Sequence, residues 1–383
     1  MISIKLNTII KKMMSKIDLN KYDFNLIILI CICIIFGSFM VFSSSNIMAE
    51  LRWASPYKLF LKQMLWITVG FILMFITSFL ISYNFYKKYT KWIYLFSLIS
   101  VIAVLFLGSS RLGAKRWLGI GYFSVQPSEL AKIATILTTA NFISRKKNLI
   151  KESKSLLALV FTILIIVFPI ALEPDLGTPI LIGGVCFAML FCAGIKIKVV
   201  FTGFITTLIF VTEEIIRKPY RLIRFKDYIA SFININMSSY QVKQSLNALG
   251  SGGFFGKGLG KSEMKLMYLP EAHTDFIFPI IGEELGFLGT STVLAFFMYL
   301  FFRGIKMSKY MPDIFSQYLC LGITFLIVFQ AIINISVATG VFPAKGLPLP
   351  FISFGGTSLI ITMAAAGILI NLSQYERKTN NTK

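Results

Sequence analysis

The chain has 383 residues, of which 56% are hydrophobic and only 14% charged, and its mean hydropathy is +0.75. Soluble domains carry about 25% charged residues, so this composition excludes an ordinary soluble protein and predicts an integral membrane protein. The net charge of +21 could suggest nucleic-acid binding, but the basic residues are placed as in membrane loops, and we expect no nucleic-acid partner.

Apolar runs recur along the chain at lengths near 20 residues, which is the length needed to cross a hydrocarbon core of about 30 Å as a helix. We therefore predict an all-α fold with about ten transmembrane helices. The two terminal tails and alternate connections between the spans together hold 21 of the 38 Lys and Arg residues, which places both termini in the cytoplasm by the positive-inside rule. The predicted spans are 24–43, 60–82, 92–108, 128–144, 155–172, 178–194, 198–213, 275–302, 316–340 and 353–373.

The predicted spans form a single membrane domain covering 1–383. It starts with a basic cytoplasmic tail (1–23), has a large extracytoplasmic loop at 214–274 between spans seven and eight, and ends with a cytoplasmic tail at 374–383. All five cysteines fall inside apolar runs, which indicates small core residues rather than a disulfide framework or a metal site.

Polar residues gather in the outer connections, whereas the inner ones are short and basic. Three stretches share this character with the long loop: "RLGAKRWLGIGYFSVQPSELAK" (111–132), "EPDLGT" (173–178) and "AKGLPLPFISFGGTSL" (344–359). Any one of them could simply turn the chain, and Glu129 with Lys132 could form a local i, i+3 pair. Their concentration on one side predicts a polar site that opens outward.

The long outer loop has two parts. In "RKPYRLIRFKDYIASFI" (217–233), apolar residues recur at helical spacing among basic ones, which predicts a helix in the membrane interface, with a solvated basic linker as the alternative. The next part, "LGSGGFFGKGLGKS" (249–262), is rich in glycine but lacks the spacing of a nucleotide-binding P-loop. Its backbone could cradle a phosphate or pack closely against a helix.

The stretch "YLPEAHTDFIFPIIGEELG" (268–286), which leads into the eighth predicted span, carries His273, Asp275, Glu283 and Glu284. The two glutamates lie about 12–14 Å beyond Asp275 along a helix, where a carboxylate needs a partner or a wet cavity. We favour a structural role for them, paired with a lysine or backbone donors, over a functional one. Asp275 lies at the mouth of the span, where a polar substrate can reach it; its alternative role is a helix cap.

These motifs, in this order along about ten spans, resemble the SEDS (shape, elongation, division, sporulation) family of integral-membrane peptidoglycan glycosyltransferases. The resemblance covers nearly the whole chain and is strongest to the division members of the family. Phe354 and Thr357 stand where the family commonly has Tyr and Ser. The matching stretches are "GAKRWLGIGYFSVQPSELAK", "EPDLGT", "YQVKQSLNALGSGGFFGKGLGKS", "YLPEAHTDFIFPIIGEELGFLG" and "KGLPLPFISFGGTSL".

The resemblance implies a substrate, lipid II, which is a disaccharide-peptide on undecaprenyl pyrophosphate. It implies polymerisation of the glycan at the outer face of the cytoplasmic (inner) membrane of a bacterium. It also implies a class B penicillin-binding transpeptidase and other division proteins as partners, besides membrane lipids. The family's catalytic base matches Asp275.

The chemistry of that reaction fits the outer residues. Sugar transfer usually needs two carboxylates, but a pyrophosphate leaves as a stable anion and needs charge neutralisation instead of a proton. One base, Asp275, with nearby cations therefore suffices, and His273 is the alternative base. No cofactor is required by the sequence, although a divalent cation, Mg²⁺ or Mn²⁺, could bridge the pyrophosphate. The predicted substrate-binding residues are Arg111, Lys115, Arg116, Trp117, Gln126, Glu129, Lys132, Asp175, Arg221, Gln244, Lys261, Glu271, His273 and Ser353.

Three alternatives remain beside a division polymerase. A lipid II flippase would use the intramembrane glutamates along a path open to both faces, but the inner loops are too short and plain for an inner gate. A non-catalytic scaffold would only recruit the transpeptidase. An elongation-type polymerase would perform the same reaction during cell elongation.

Overall fold

The computed structural model describes most of the chain, and the predicted seventh span (198–213) lies almost wholly outside the described residues. The described residues are 19–111, 114–120, 123–145, 153–173, 175–195, 203, 212–213, 217, 219–231, 238–343 and 346–381.

The fold is mostly helical, as predicted, with 77% helix. A short 3₁₀ turn at Leu19–Lys21 precedes the first helix, and α2 continues into a π-helical turn at Ile76–Leu80. In the described part of the chain the helices are α1 (Phe24–Trp53), α2 (Lys58–Phe75), α3 (Tyr83–Leu107), α4 (Pro127–Arg145), α5 (Ser153–Leu172), α6 (Gly177–Cys192), α7 (Pro219–Ser231), α8 (Tyr240–Ser251), α9 (Ile277–Ser308), α10 (Ile314–Ala338) and α11 (Gly356–Asn381).

Six helices within the described residues are long and apolar enough to cross a membrane: α1, α2 with its π-helical turn, α3, α9, α10 and α11. The apolar part of α5 (Leu156–Leu172) and α6 are shorter. Helix α4 is less apolar, and most of its side chains are buried inside the bundle. The chain is therefore a multi-pass membrane protein, and the count of ten spans stays a prediction.

Local sequence explains where several helices begin and end. Asp23 accepts a hydrogen bond from the backbone N–H of Leu26 and starts α1 (3.3 Å), and Asp313 does the same with Ser316 at the start of α10 (2.8 Å). Such caps satisfy backbone donors that have no partner inside the helix. Helix α1 runs ten residues past the predicted end at 43. Polar residues continue a helix where it leaves the membrane, so hydropathy alone places that boundary too early.

The prediction of an all-α fold is wrong in the first long outer connection. It forms a three-stranded antiparallel sheet in the order β1 (Ser109–Arg111), β2 (Ala114–Ile120) and β3 (Phe123–Val125). Pairing brings Ser109 opposite Trp117 and Leu118 opposite Val125. The segment "AKRWLGI" does not alternate between polar and apolar residues, so the usual sequence signal of a strand is missing.

At the end of the helical bundle opposite the sheet, ion pairs join α1, α9 and α11. Arg303 near the end of α9 contacts Asp23 at the start of α1 (Nε–Oδ2, 2.5 Å) and Glu376 on α11 (2.6 Å). Arg377 donates to the carbonyl of Asn20 (2.6 Å). The segment predicted as a cytoplasmic tail from 374 is thus helical as far as Asn381 and bound to the start of α1.

A helix is present in the long loop where the sequence predicted one, as α7. Tyr228 on it donates to the carbonyl of Val341 (2.7 Å), while Ile223 and Ile229 are exposed. Its position at the membrane surface stays a prediction.

Candidate functional site

Asp275 lies in a tight turn immediately before α9. Glu271 adopts a left-handed conformation (φ 56°), and its carbonyl accepts the N–H groups of Thr274 (3.1 Å) and Phe276 (3.2 Å). The hydroxyl of Thr274 also donates to the Glu271 carboxylate (2.8 Å). Helix α9 begins at Ile277 without a side-chain cap. The alternative role of Asp275 as a helix cap is therefore not supported.

The electrostatic surroundings of Asp275 come from three separate segments. Its side chain is half-buried, and burial raises the pKa of its carboxyl to about 7. The negative charges of Glu271 and Asp175 raise this pKa further, while Arg116 on β2 lowers it. The structure thus brings four residues that the sequence predicted for the site, Asp275, Glu271, Asp175 and Arg116, within electrostatic range.

Asp175 also has a local structural role. Its Oδ1 accepts the N–H groups of Gly177 (2.9 Å) and Thr178 (3.2 Å), and its Oδ2 accepts the Thr178 hydroxyl (2.9 Å). These bonds satisfy backbone donors at the start of α6. The arrangement holds the carboxylate in place beside the Asp275 turn, and its binding of substrate stays a prediction.

Glu173 is a site residue that our sequence reasoning missed. Its side chain is only 2% exposed, and within the described residues neither carboxylate oxygen has a hydrogen-bond partner. Burial and the charge of Asp175 raise its pKa to about 8, against the lowering effect of Arg116. The carboxyl is therefore mainly protonated at neutral pH. Its position in the motif "EPDLGT" could have marked it as a site residue. Its burial, however, depends on tertiary packing and cannot be read from the sequence.

Two predicted substrate ligands are enclosed in the bundle. Lys132 Nζ lies 2.7 Å from Glu129 Oε2, and it donates to Gln330 Oε1 on α10 (2.9 Å). Gln330 in turn donates to the carbonyl of Pro348 (2.8 Å). The local pairing of Glu129 with Lys132, one of the two readings of this motif, is confirmed.

The stretch before α11 packs onto the Asp275 turn. The N–H of Phe354 donates to the carbonyl of His273 (2.9 Å), and the two rings lie 5.7 Å apart. Ser353 Oγ accepts the N–H of Leu349 (2.8 Å) and is buried. Burial lowers the pKa of His273; Glu271 opposes this effect, and Arg52 adds to it. His273 is thus mainly neutral at neutral pH.

The remaining predicted residues differ in exposure. Lys115 and Lys261 are exposed, and Trp117, Gln126 and Gln244 are half-buried. The side chains of Arg111 and Arg221 lie outside the described part of the structure.

Glu283 binds the glycine-rich loop to α9. Its fully buried carboxylate accepts hydrogen bonds from Lys257 Nζ (2.9 Å) and Ser262 Oγ (2.5 Å). It also accepts the backbone N–H groups of Glu263 (3.1 Å) and Met264 (3.3 Å). A lysine and backbone donors were the partners predicted for a structural role, and that role is confirmed.

Glu284 makes a second, similar connection, which joins α9 to α1 and to Lys265. It accepts the hydroxyl of Ser43 on α1 (2.7 Å) and pairs with Lys265 (3.2 Å). Lys265 also donates to the carbonyl of Gly260 (2.6 Å). The two consecutive glutamates therefore join α1, α9 and the glycine-rich loop.

The glycine-rich loop packs closely against α9, as one of its two predicted roles required. The N–H of Lys257 donates to the carbonyl of Glu283 (2.9 Å), and the N–H of Phe287 donates to that of Gly253 (2.9 Å). Gly286 interrupts α9 with φ 68°, and any Cβ there would clash with the backbone of Gly256. Some N–H groups of the loop are thus already used, which disfavours a phosphate cradle.

Among the residues that the structure describes, no group of three or more His, Cys, Asp or Glu side chains could hold a metal ion.

The fold and site define a multi-pass, mainly helical membrane protein with a half-buried carboxylate, an arginine and further acidic groups gathered where the loops around Asp275 meet. The chain matches the FtsW/RodA/SpoVE family model, described as "Cell cycle protein", over residues 23–378, and it belongs to that family.

Named relatives and a solved structure agree with this assignment. The chain is 37% identical to "Stage V sporulation protein E" of Bacillus subtilis, with 93% of this chain and 98% of that protein covered. It is 36% identical to "Probable peptidoglycan glycosyltransferase FtsW" of Trichlorobacter lovleyi, with 93% and 94% covered. A chain from "Structural coordination of polymerization and crosslinking by a peptidoglycan synthase complex" matches with a TM-score of 0.74 at 24% identity, with 92% and 98% covered, and shows the same fold.

Proposed function

We propose that this protein is a peptidoglycan glycosyltransferase that polymerises lipid II into glycan strands. Family membership and the names of the FtsW relatives support the activity. The observation that carries the proposal is the environment of Asp275. This half-buried carboxylate lies near Arg116 just before α9, and its pKa is raised to about 7.

In the proposed reaction, Asp275 is the general base. It takes the proton from the acceptor sugar's hydroxyl while the oxygen attacks the anomeric carbon of the donor. A new glycosidic bond forms, and the bond from the anomeric carbon to the pyrophosphate oxygen breaks. A carboxylate with a pKa near the working pH is a stronger base than a free one, and about half of it is still ionised.

Cations on the same face would bind the pyrophosphate that leaves. Arg116 and the exposed Lys115 lie on β2, and Arg111, Arg221 and Lys261 are further candidates. Positive charge there neutralises the leaving group without a proton. A divalent cation, Mg²⁺ or Mn²⁺, would supply the same neutralisation.

The placement in the cell follows from the proposed substrate. Multi-pass insertion in the inner membrane with both termini in the cytoplasm puts the polar loops, and Asp275 with them, on the extracytoplasmic side. The FtsW names of several relatives favour a septal role in division; an elongation role is the alternative. The solved complex concerns polymerization and crosslinking by one synthase, which supports a class B transpeptidase as partner.

Synthesis in detergent tests this proposal. Purified protein, with its transpeptidase partner, is given lipid II in micelles, and glycan strands are resolved by gel electrophoresis. We expect strands from the wild type and almost none from Asp275→Asn. Micelles have no second leaflet, so lipid II transport cannot produce the signal. If the protein with its transpeptidase partner makes no strands but transports lipid II in vesicles, the proposal is overturned in favour of a flippase.

A further inference from the structure

Asn334 is a buried amide on α10 that faces the Asp275 turn. Its side chain is only 2% exposed. It follows Gln330 by four residues, which places both amides on one face of the helix. Neither residue was expected at the site from the sequence, because polar residues inside an apolar span carry no indication of which loop they meet.

The side chain of Asn334 bridges two segments through one nitrogen atom. Nδ2 donates one hydrogen bond to the carbonyl oxygen of Asp275 (2.8 Å) and another to the carbonyl oxygen of Leu347 (2.7 Å). An amide nitrogen has two protons, so both donors are used. The first bond holds the main chain at Asp275, and the second holds the loop before α11.

That loop touches the carboxylate of Asp275. Gly346 immediately precedes Leu347, and a Cβ at Gly346 would lie 2.5 Å from Asp275 Oδ2. Real Cβ atoms do not approach an oxygen so closely, so a side chain at position 346 would clash with the carboxylate and only glycine fits there. The backbone at Gly346 thus forms a wall beside the carboxylate. A single amide therefore sets the distance between the base and the wall beside it.

The amide is not needed to fill space. Within the described residues, Asn334 Oδ1 has no hydrogen-bond partner, and a buried acceptor without a partner costs free energy. Leucine has almost the same shape and would avoid that cost. The two donor bonds are what asparagine adds at this position.

We propose that Asn334 is a positioning residue for Asp275: it holds the main chain of the base and the Gly346 wall in one arrangement, so that the carboxylate points at the acceptor hydroxyl. This inference rests on the proposed function, because it assigns Asn334 to the reaction in which Asp275 is the base. A small misplacement of a reacting group lowers turnover far more than it lowers binding.

The first test compares Asn334→Leu with Asn371→Leu in the lipid II assay. Asn371 is a matched control, because it is a buried asparagine on α11 whose Nδ2 donates to a main-chain carbonyl, that of Ser78 (2.7 Å), and whose Oδ1 also lacks a partner among the described residues. It lies fifteen residues, or about 22 Å along the helix, from the end of α11 that packs near Asp275.

We expect Asn334→Leu to lower kcat by about 10- to 100-fold, the scale of small misplacements, with the KM for lipid II changed less than about threefold. Asn371→Leu should keep kcat within about twofold at a similar loss of thermal stability. If the two variants lose stability and kcat alike while the wild type makes strands, Asn334 is only structural and the inference is overturned, with the proposed function intact. A wild type that makes no strands overturns the proposed function and the inference together.

A second variant keeps the test decisive if Asn334→Leu does not fold. Gly346 is exposed, so Gly346→Ala should fold normally while its methyl group displaces the Asp275 carboxylate. Gly250→Ala is its control, because a Cβ at that exposed position meets nothing within 4 Å. We expect a fall in kcat, with little change in KM, for Gly346→Ala alone. Wild-type kcat in Gly346→Ala would show that the wall does not constrain the base and would overturn the inference.

Discussion

Lys132 and Glu129 form an ion pair with an Nζ–Oε2 distance of 2.7 Å inside the helical bundle, and their side chains are only 1% and 4% exposed. The two residues lie about one turn apart on α4, and Lys132 also donates a hydrogen bond to Gln330 on α10. Both residues were predicted as substrate ligands from their place in an outer motif. Their enclosure indicates that they join α4 to α10 behind the site.

The first prediction concerns this pair. Lys132→Met leaves the Glu129 carboxylate buried without its cation, and removing one partner of a buried ion pair costs about 3–5 kcal/mol. We expect a clear fall in the free energy of unfolding, measured by thermal or denaturant unfolding in detergent. Adding Glu129→Gln to Lys132→Met should recover part of the loss. Unchanged stability with weakened lipid II binding would restore the role of Lys132 as a ligand.

The second prediction is the effect of removing the proposed base, Asp275. Asp275→Asn cannot accept a proton, so glycan synthesis should fall by about 10²-fold or more, which is the scale for losing a general base. The carboxylate does not cap α9, so membrane insertion, stability and partner binding should remain normal. Near-normal synthesis by this variant would direct the search for the base to His273 or Glu271.

The third prediction is a pH dependence. The pKa of Asp275 is raised to about 7, and as the proposed base it must be ionised to act. Below about pH 7, kcat/KM should therefore fall about tenfold per pH unit, whereas a free carboxylate would keep the enzyme active to about pH 4.

Arg116→Gln provides the matching control for that profile. Arg116 lowers the pKa of Asp275, so its removal should shift the acid limb of the pH profile to higher pH. An acid limb that does not move would show that a different group titrates. Added salt should reproduce part of any loss of lipid II affinity in this variant, because charge pairing at a wet site is screened.

The fourth prediction concerns the connection between Glu283 and the glycine-rich loop. Glu283→Ala leaves Ser262 and two backbone N–H groups without their acceptor, so the segment 252–265 should become open to proteases and exchange its amide hydrogens faster. The exposed Glu263, whose side chain contacts Lys257 at 3.3 Å and is 66% exposed, is the control. Glu263→Ala should change stability by less than about 0.5 kcal/mol. Equal protection of the loop in both variants would contradict the structural role of Glu283.

The fifth prediction is the orientation in the membrane. In a variant without native cysteines, an impermeant thiol reagent should label a cysteine at position 113 or 255 from outside. Cysteines at positions 148 and 306 should react only after permeabilisation. The reverse pattern would place the polar loops in the cytoplasm and contradict an outward-facing site.

Much of this protein follows from the sequence alone. Apolar runs of about 20 residues predict membrane helices because the bilayer thickness sets their length. The motif around Asp275 marked the start of a span as a candidate site, because charged residues within a membrane span are costly unless they have a use; the turn before α9 was not predicted. The same reasoning predicted that Glu283 would pair with a lysine and backbone donors. In the structure its carboxylate accepts hydrogen bonds from Lys257 Nζ and from the backbone N–H groups of Glu263 and Met264.

Other features were decided only by the tertiary structure. Glu284 reaches Ser43 across 241 positions of the chain, Lys132 reaches Gln330 across 198, and Asn334 reaches the turn at Asp275 across 59. The periodicity of one segment shows which side of a helix is apolar, but not which neighbour that side meets. Burial of Glu173 and the wall at Gly346 likewise arise from the packing of distant segments. A pKa near 7 at Asp275 therefore depends on the assembled fold, because desolvation and the charges of Glu271, Asp175 and Arg116 act only when those segments come together.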